Sequence, residues 1–276
     1  MSDNNEQIVE IRPAGRWLSL NLKELWSYRE LLYFLTLRDI KVRYKQTAIG
    51  IVWAVLQPVL TTAVFSVIFS TFAKFETADI PYPLFALSGL MLWLFVHNSI
   101  TAAAGSFVNN TNLVTKVYFP RLIVPISATL AGMLDLLISF VILVFLMAWY
   151  RTGVFWTILA APAFVVMAVV VAAAFGTLFS ALNVRYRDVK FALPFVIQIW
   201  MIASPIFYPV SIVPAKWQYI FAVNPLTGIL DGFRSALFGL DFNWPLIAIS
   251  AVSTLILAGI SIAVFKRMED DFADMI

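Results

Sequence analysis

The chain has 276 residues, 61% hydrophobic and 13% charged, with 19 Lys and Arg against 16 Asp and Glu for a net charge of +3 and a mean hydropathy of +0.87. A soluble domain is about 45–50% apolar and about 25% charged, so too little polar side chain is present to cover a globule in water, and the bilayer is the expected solvent. The absence of cysteine excludes disulfide frameworks, thiolate nucleophiles and cysteine metal sites, the single histidine, His97, excludes an HExxH motif, and the charge balance is too slight for a nucleic-acid binder.

Residues 1–48 are polar and carry eight cations: Arg12, Arg16, Lys23, Arg29, Arg38, Lys41, Arg43 and Lys45. No early apolar stretch with a small-residue cleavage site precedes them, so no signal peptide is expected. Within 17–37, Leu22, Leu25, Trp26, Leu32, Tyr33 and Leu37 fall on one helical stripe, blurred by Leu31, Phe34 and Leu35. That pattern predicts an amphipathic helix in the cytoplasmic interface with Trp26 at headgroup depth; a helix packed on its own protein is the plainer alternative.

Apolar runs follow at 49–72, 84–104, 122–149, about 155–183, 191–208 and 246–265. A hydrocarbon core about 30 Å thick takes about 20 helical residues to cross, so these predict six transmembrane helices, the third and fourth overlong and tilted or extended. Segment 209–245 is apolar too, but Asn224-Pro225 divides it into pieces too short to span. It predicts two short re-entrant helices at about 210–240, whose backbone must be satisfied against protein or a water-filled cavity. Counted on alternate sides of the spans, fifteen cations fall on one side and four on the other, which places both termini in the cytoplasm by the positive-inside rule. The expected organisation is an N-terminal segment at 1–48, a membrane domain at 49–265 and a solvated cytoplasmic tail at 266–276 that carries Glu269, Asp270, Asp271 and Asp274.

Reactive groups are sparse. GxxxxGK[ST] and GxGxxG are both absent, so no phosphate-cradling loop is recognisable. Asp135 is the one acid in the spans, which leaves no carboxylate pair for acid–base or metal chemistry there. No catalytic residue, resident cofactor or metal site is therefore expected. An ionised carboxylate at a helix centre costs at least about 2.5–3.5 kcal/mol, so Asp135 should lose its charge or meet a donor such as His97 or a hydroxyl. Such residues mark pathways or hold helix pairs together. His97 and Asn98 carry the same two readings. Trp53 and Gln57 share a helical face and, with Phe207 and Tyr208, are candidates to line a translocation path by their aromatic faces; interfacial enrichment of aromatics is the plainer reading. Arg38, Lys41, Arg43 and Lys45 form one cationic cluster suited to an anionic group at an entrance, although topology alone explains their sign.

Leu37-Arg38-Asp39-Ile40-Lys41-Val42-Arg43-Tyr44-Lys45-Gln46, running into Gly50, Trp53, Gln57 and Pro58, resembles the entry to the first span of ABC-2 type polysaccharide exporter permeases. So do Lys116-Val117-Tyr118-Phe119-Pro120-Arg121 with Pro125, Leu182-Asn183-Val184-Arg185-Tyr186-Arg187-Asp188, Ser204-Pro205-Ile206-Phe207-Tyr208-Pro209, Asn224-Pro225-Leu226 and Gly232-Phe233-Arg234. In this order and spacing they resemble the exporters of O-antigen, capsule and teichoic acid.

The resemblance implies an all-α permease of the bacterial inner membrane, a homodimer served by two copies of a separate ATPase that binds ATP and Mg. Its cargo would be a lipid-linked glycan such as an O-antigen. It further implies a coupling helix at about 107–119, with Asn110, Asn112, Lys116, Tyr118 and Arg121 at the ATPase, Arg185, Arg187 and Asp188 as a second contact, and Asn224, Pro225, Asp231 and Arg234 in an outer gate. Asn109, Asn110, Thr111 and Asn112 suit a capped, solvated cytoplasmic helix, and Lys116 and Arg121 suit anchoring near headgroups. The rival readings are an ABC-2 permease for a smaller lipid or drug and, from another class, an integral-membrane glycolipid-modifying enzyme, which would need convergent carboxylates.

Overall fold

The computed structural model describes residues 22–45, 50–69, 80–186, 188–269 and 272, and all regular structure among them is helical. In chain order the α-helices are α1 Leu22–Ser27, α2 Arg29–Lys45, α3 Gly50–Ile68, α4 Tyr82–Asn109, α5 Thr111–Lys116, α6 Ile123–Ala131, α7 Met133–Trp149, α8 Ala161–Arg185, α9 Val189–Ile202, α10 Ala215–Phe221, α11 Pro225–Phe238 and α12 Trp244–Glu269. Among the described residues four apolar helical stretches are long enough to cross a bilayer: Tyr82–Asn109, Ile123–Trp149, Trp156–Arg185 and Trp244–Glu269. Two shorter ones, Val52–Ile68 and Val189–Ile202, occupy the positions of the first and fifth expected spans.

α4 is the axis of the bundle. Most of its residues are buried, and α3, α6, α7, α8, α9 and α11 all pack on it. Its partner α8 approaches through small residues: a Cβ on Gly176 would stand 2.7 Å from that of Ala103. Lipid tails are as apolar as the side chains, so close backbone approach supplies the dispersion that holds such helices together. The outer faces of α3, α7, α9 and α12 leave large apolar residues exposed, among them Leu60, Val141, Phe195 and Ile256. A membrane solvates such a surface and water does not.

The overlong third run is interrupted at Gly132, between α6 and α7. There the Thr129 carbonyl accepts from both Gly132 N–H and Ser99 Oγ, and a Cβ at 132 would fall 2.5 Å from that hydroxyl. In the fourth run a 3-10 turn, Trp156–Ala160, leads into α8.

A second apolar cluster closes the end of the bundle that carries α5. Leu35, Phe107, Val114, Phe119, Leu122, Val184, Phe265, Met268 and Phe272 all join it. Two expectations change here. The inward side of α1 and α2 carries Leu25, Tyr28, Leu31, Leu32 and Leu35, while Trp26, Tyr33 and Phe34 are exposed, so the segment has two apolar faces and Leu35 is the buried one. Nor is the C-terminal segment merely solvated. Phe272 is buried among Phe107 and Phe265, and Lys266 pairs with Glu269 at 2.7 Å. Asp270, Asp271 and Asp274 lie outside the described residues.

The two short helices after α9 differ in character. α10 is exposed, with Trp217 and Tyr219 outward, whereas α11 is almost wholly buried against α4, α8 and α12. Arg234 anchors it. The guanidinium donates to the carbonyls of Pro205 (2.7 Å), Ile206 (2.6 Å) and Phe85 (3.2 Å) and to Ser88 Oγ (3.4 Å), and lies 3.6 Å from the Phe85 ring centre. Gly89 makes the room, since a Cβ there would meet Arg234 Nη2 at 2.4 Å. Burying a cation costs several kcal/mol; saturating its donors and stacking it on a π face offset that cost. Arg234→Met strands three carbonyls at about 1–3 kcal/mol each before relaxation. The variant should unfold in detergent roughly 5–10 °C below wild type, followed by intrinsic fluorescence, with Arg234→Lys falling between.

Candidate functional site

α2 runs alongside α6, from Leu35 in the cluster with Phe119 and Leu122 to Arg43 and Tyr44, which meet Asp135 in the first turn of α7. Arg43 Nη1 lies 2.5 Å from Asp135 Oδ2, and the Tyr44 hydroxyl donates to Oδ1. The interruption at Gly132 explains why an acid is tolerated here: it opens a new helix N-terminus, whose unpaired N–H groups favour a carboxylate in the first turn. Burial, and then the bond to the Asp135 carboxylate, push the Tyr44 hydroxyl above its ordinary pKa, which keeps it a donor. The donors to Asp135 thus come from α2. His97, the partner anticipated from sequence, lies instead beside Trp93, with ring centres 6.2 Å apart.

Around this pair opens a cleft of about 450 Å³ between α2, α3, α4 and α7. Arg43, Tyr44, Trp53, Gln57, Asn98, Thr101 and Asp135 line it. Trp53 and Gln57 enter together because they are one turn apart on α3. Pro58, also in the wall, lacks the N–H that would bond the Ala54 carbonyl, another lining residue. The cleft is amphipathic: an indole, two amides, hydroxyls and one ion pair, in a chain otherwise short of polar groups. Such a surface can stack on a flat apolar face and exchange hydrogen bonds with polar groups of a ligand.

Two further hollows flank it. One, of about 510 Å³, shares Arg43 and adds Arg38, Asp39, Ser106, Asn109 and Asn110. The other, of about 680 Å³, lies between α2 and α7 and holds Lys41 and Lys45. The four cations of the expected entrance are therefore parted between two faces of α2.

At the α5 end, Asn112, Lys116 and Tyr118 are exposed, as are Arg185 and Asp188 at the α8–α9 junction. Val114 and Val184 beneath them share one cluster, so the two sets rim the same end of the bundle. Arg187 lies outside the described residues. Asn110 occupies the junction of α4 and α5, but its side-chain amide turns back to the Ser106 carbonyl at 2.7 Å and does not cap α5. Arg121 is likewise turned inward, donating to the Glu269 carbonyl and lying 6.0 Å from the Phe272 ring centre; it ties the segment after α5 to α12 and does not reach out toward headgroups. Arg185 lies over the Tyr186 ring.

The remaining candidates sit at the far end. Phe207 is buried and stacked on Phe65 with ring centres 3.7 Å apart, so it packs α3 against the loop after α9 and does not line the cleft. The Tyr208 hydroxyl bonds the Ile202 carbonyl. Asn224 caps α11, its Oδ1 accepting from Leu226 N–H and Trp200 Nε1 while Nδ2 donates to Ser204 Oγ. Pro225 is the first residue of α11, where its missing N–H is no loss. Asp231 lies one turn before Arg234 on α11.

Tyr44, Ser106 and Phe272 went unnoticed as site or core residues. Phe272 had a signal: Phe265, Met268 and Phe272 recur at helical spacing. Tyr44 had none, because its role depends on Asp135, 91 residues on, and Ser106 had none, because its place in the wall of the Arg38 hollow depends on helix packing.

The chain matches the family model described as "ABC-2 type transporter" over residues 30–238, a stretch that includes the α2–α7 site and α11. It is 26% identical over 260 residues to the O-antigen export system permease protein RfbA of Myxococcus xanthus, covering 92% of this chain and 98% of that protein. It is 28% identical over 262 residues to the protein of the same name from Klebsiella pneumoniae, covering 94% and 100%. The polysialic acid transport protein KpsM of Escherichia coli is 24% identical over 249 residues, covering 86% and 92%. With its apolar helical stretches and a family match over most of its length, the chain is a multi-pass membrane protein that belongs to the ABC-2 type transporter family.

Proposed function

We propose that this chain is the permease subunit of an ATP-driven exporter that carries a lipid-linked polysaccharide of the O-antigen type across the bacterial inner membrane. The observation that carries the reading is the polar cleft built around Arg43 and Asp135, in a chain that belongs to a transporter family and resembles O-antigen and capsule exporters along nearly its whole length. The chain works as a homodimer and takes its energy from two copies of a separate ATPase, which bind ATP and Mg; its own role is conduction and not catalysis. Both termini face the cytoplasm.

On this reading the α5 end of the bundle is the cytoplasmic face. Asn112, Lys116 and Tyr118, with Arg185, Arg187 and Asp188, form the surface on which the ATPase sits; Asn110 and Arg121 join that surface to α4 and α12. The cargo enters past Arg38, Lys41, Arg43 and Lys45, and Trp53, Gln57 and Asp135 begin its path. His97 lies beside that path on α4, and Phe207 and Tyr208 stand toward its far end. α10 and α11, hinged at Asn224-Pro225 and anchored by Arg234 beside Asp231, form the outer gate. Movement of α5 by the ATPase then reaches the cleft through α4, which runs unbroken from Asn109 to Tyr82, as in other switches where a rigid element carries a local shift.

Two measurements test this. The purified chain should bring down a second polypeptide with a Walker A lysine, and Tyr118→Ala with Lys116→Glu should lower transport-linked ATP turnover roughly tenfold while leaving the chain folded. A chain that modifies a glycolipid alone, with no such partner, contradicts the reading. At the entrance, a partly buried ion pair whose partner is removed loses about 1–3 kcal/mol. Asp135→Asn and Arg43→Gln should each cut glycan export in vesicles at least about fivefold, and the exchange of Arg43→Asp with Asp135→Arg should restore part of it. Equal export by Asp135→Asn and wild type would reduce the pair to packing.

A further inference from the structure

The four cations of α2 do not share one environment. Arg38 is bonded to Asp39 through Nε at 3.1 Å and Nη2 at 2.7 Å, and Arg43 is held by Asp135. Each arginine is thus neutralised, and each opens on a hollow lined by amides and hydroxyls. Lys41 and Lys45 stand one turn apart and are exposed, and among the described residues neither has an ion-pair partner. They border the groove of about 680 Å³ between α2 and α7, with Ile40, Leu134 and Ile138 in its wall. Tyr44 is common to this groove and to the Trp53 cleft, and its hydroxyl bond to Asp135 makes it the partition between them.

Two adjacent ammonium groups beside an apolar trough complement a phosphate carried on a hydrocarbon chain. The ammoniums attract the anion as unneutralised point charges, and the trough takes the chain. Resting on the export reading above, we propose that Lys41 and Lys45, and not Arg38 or Arg43, hold the phosphate of a lipid carrier in the α2–α7 groove, so that the first sugar crosses Tyr44 into the neutral cleft of Trp53 and Gln57. The lysines read the carrier and the arginine–aspartate pairs read the glycan.

The test uses the purified full chain in phosphatidylcholine nanodiscs, with a long-chain polyprenyl phosphate as probe and the matching polyprenol as neutral control. Wild type should prefer the phosphate. Lys41→Gln with Lys45→Gln should lose that preference by roughly 10- to 30-fold, while Lys23→Gln with Lys190→Gln, which removes two exposed lysines elsewhere, should retain it. Millimolar inorganic phosphate should not displace the lipid; displacement would make the groove a free-anion site and overturn the assignment. Loss of the preference in Arg38→Gln with retention in the lysine pair would overturn it too, as would a wild type that binds both probes alike. Binding is read without ATP or partner, so failure here leaves the export reading to be judged by its own co-purification experiment.

Discussion

A carboxylate three residues past a helix break decides where the N-terminal part of this membrane protein can lie. Asp135 is acceptable within an apolar helix because the interruption at Gly132 opens a new N-terminus beside it and because α2 delivers a guanidinium and a phenol to its two oxygens. Removing Arg43 leaves the Asp135 charge without its counter-ion and removing Tyr44 leaves one carboxylate oxygen without its donor, and each loss costs more than the bond contributes when made. The tie therefore works chiefly as a constraint on position. It draws the end of α2 against α7, sets the start of α3 nearby, and leaves a cleft where four helices cannot close on one another.

From that constraint the distribution of polar chemistry follows. α2 presents its arginines, already paired, to hollows lined by Asn98, Ser106 and Gln57, and its lysines to an apolar groove. At the other extremity Arg234 plays a similar part by different means, joining α11 to α4 through carbonyls where Asp135 joins α7 to α2 through charge. Between these anchors α4 and α8 pack on small residues with little room for adjustment. A bundle fixed at two ends and dense in the middle moves by tilting whole helices, which suits the proposed export role.

Much of the fold was legible in the sequence because the bilayer imposes length and composition on every spanning segment. Helices stand at all six apolar runs, four of them of spanning length, the Asn224-Pro225 break falls between α10 and α11, and the short helix after α4, which the resemblance implied at about 107–119, covers Thr111–Lys116. What escaped were departures from periodicity. The stripe mixed two faces of α1 and α2, since Leu25 and Leu32 pack on protein with Leu35 while Trp26 and Tyr33 stand exposed. The interruption at Gly132 was hidden inside an unbroken apolar run. Of the proposed path residues, Trp53, Gln57 and Asp135 lie together, while His97 and Phe207 pack elsewhere; proximity along one helix could be read, but the choice among polar neighbours on different helices required the packing itself. Arg121 illustrates the limit: a cation flanking a span suggests headgroups, and nothing local indicates that the Glu269 carbonyl, 148 residues on, will take it.

The Asp135 tie seats the end of α2 on α7 and so opens the cleft of Trp53 and Gln57. Because the chain has no cysteine, spin labels can be placed uniquely through Ile40→Cys and Ile138→Cys, residues on opposite walls of the α2–α7 groove. The account predicts strong dipolar broadening between the two labels in lipid, and its loss when Asp135→Asn is added. Labels that show no broadening with Asp135 present, or broadening that survives its neutralisation unchanged, would contradict it.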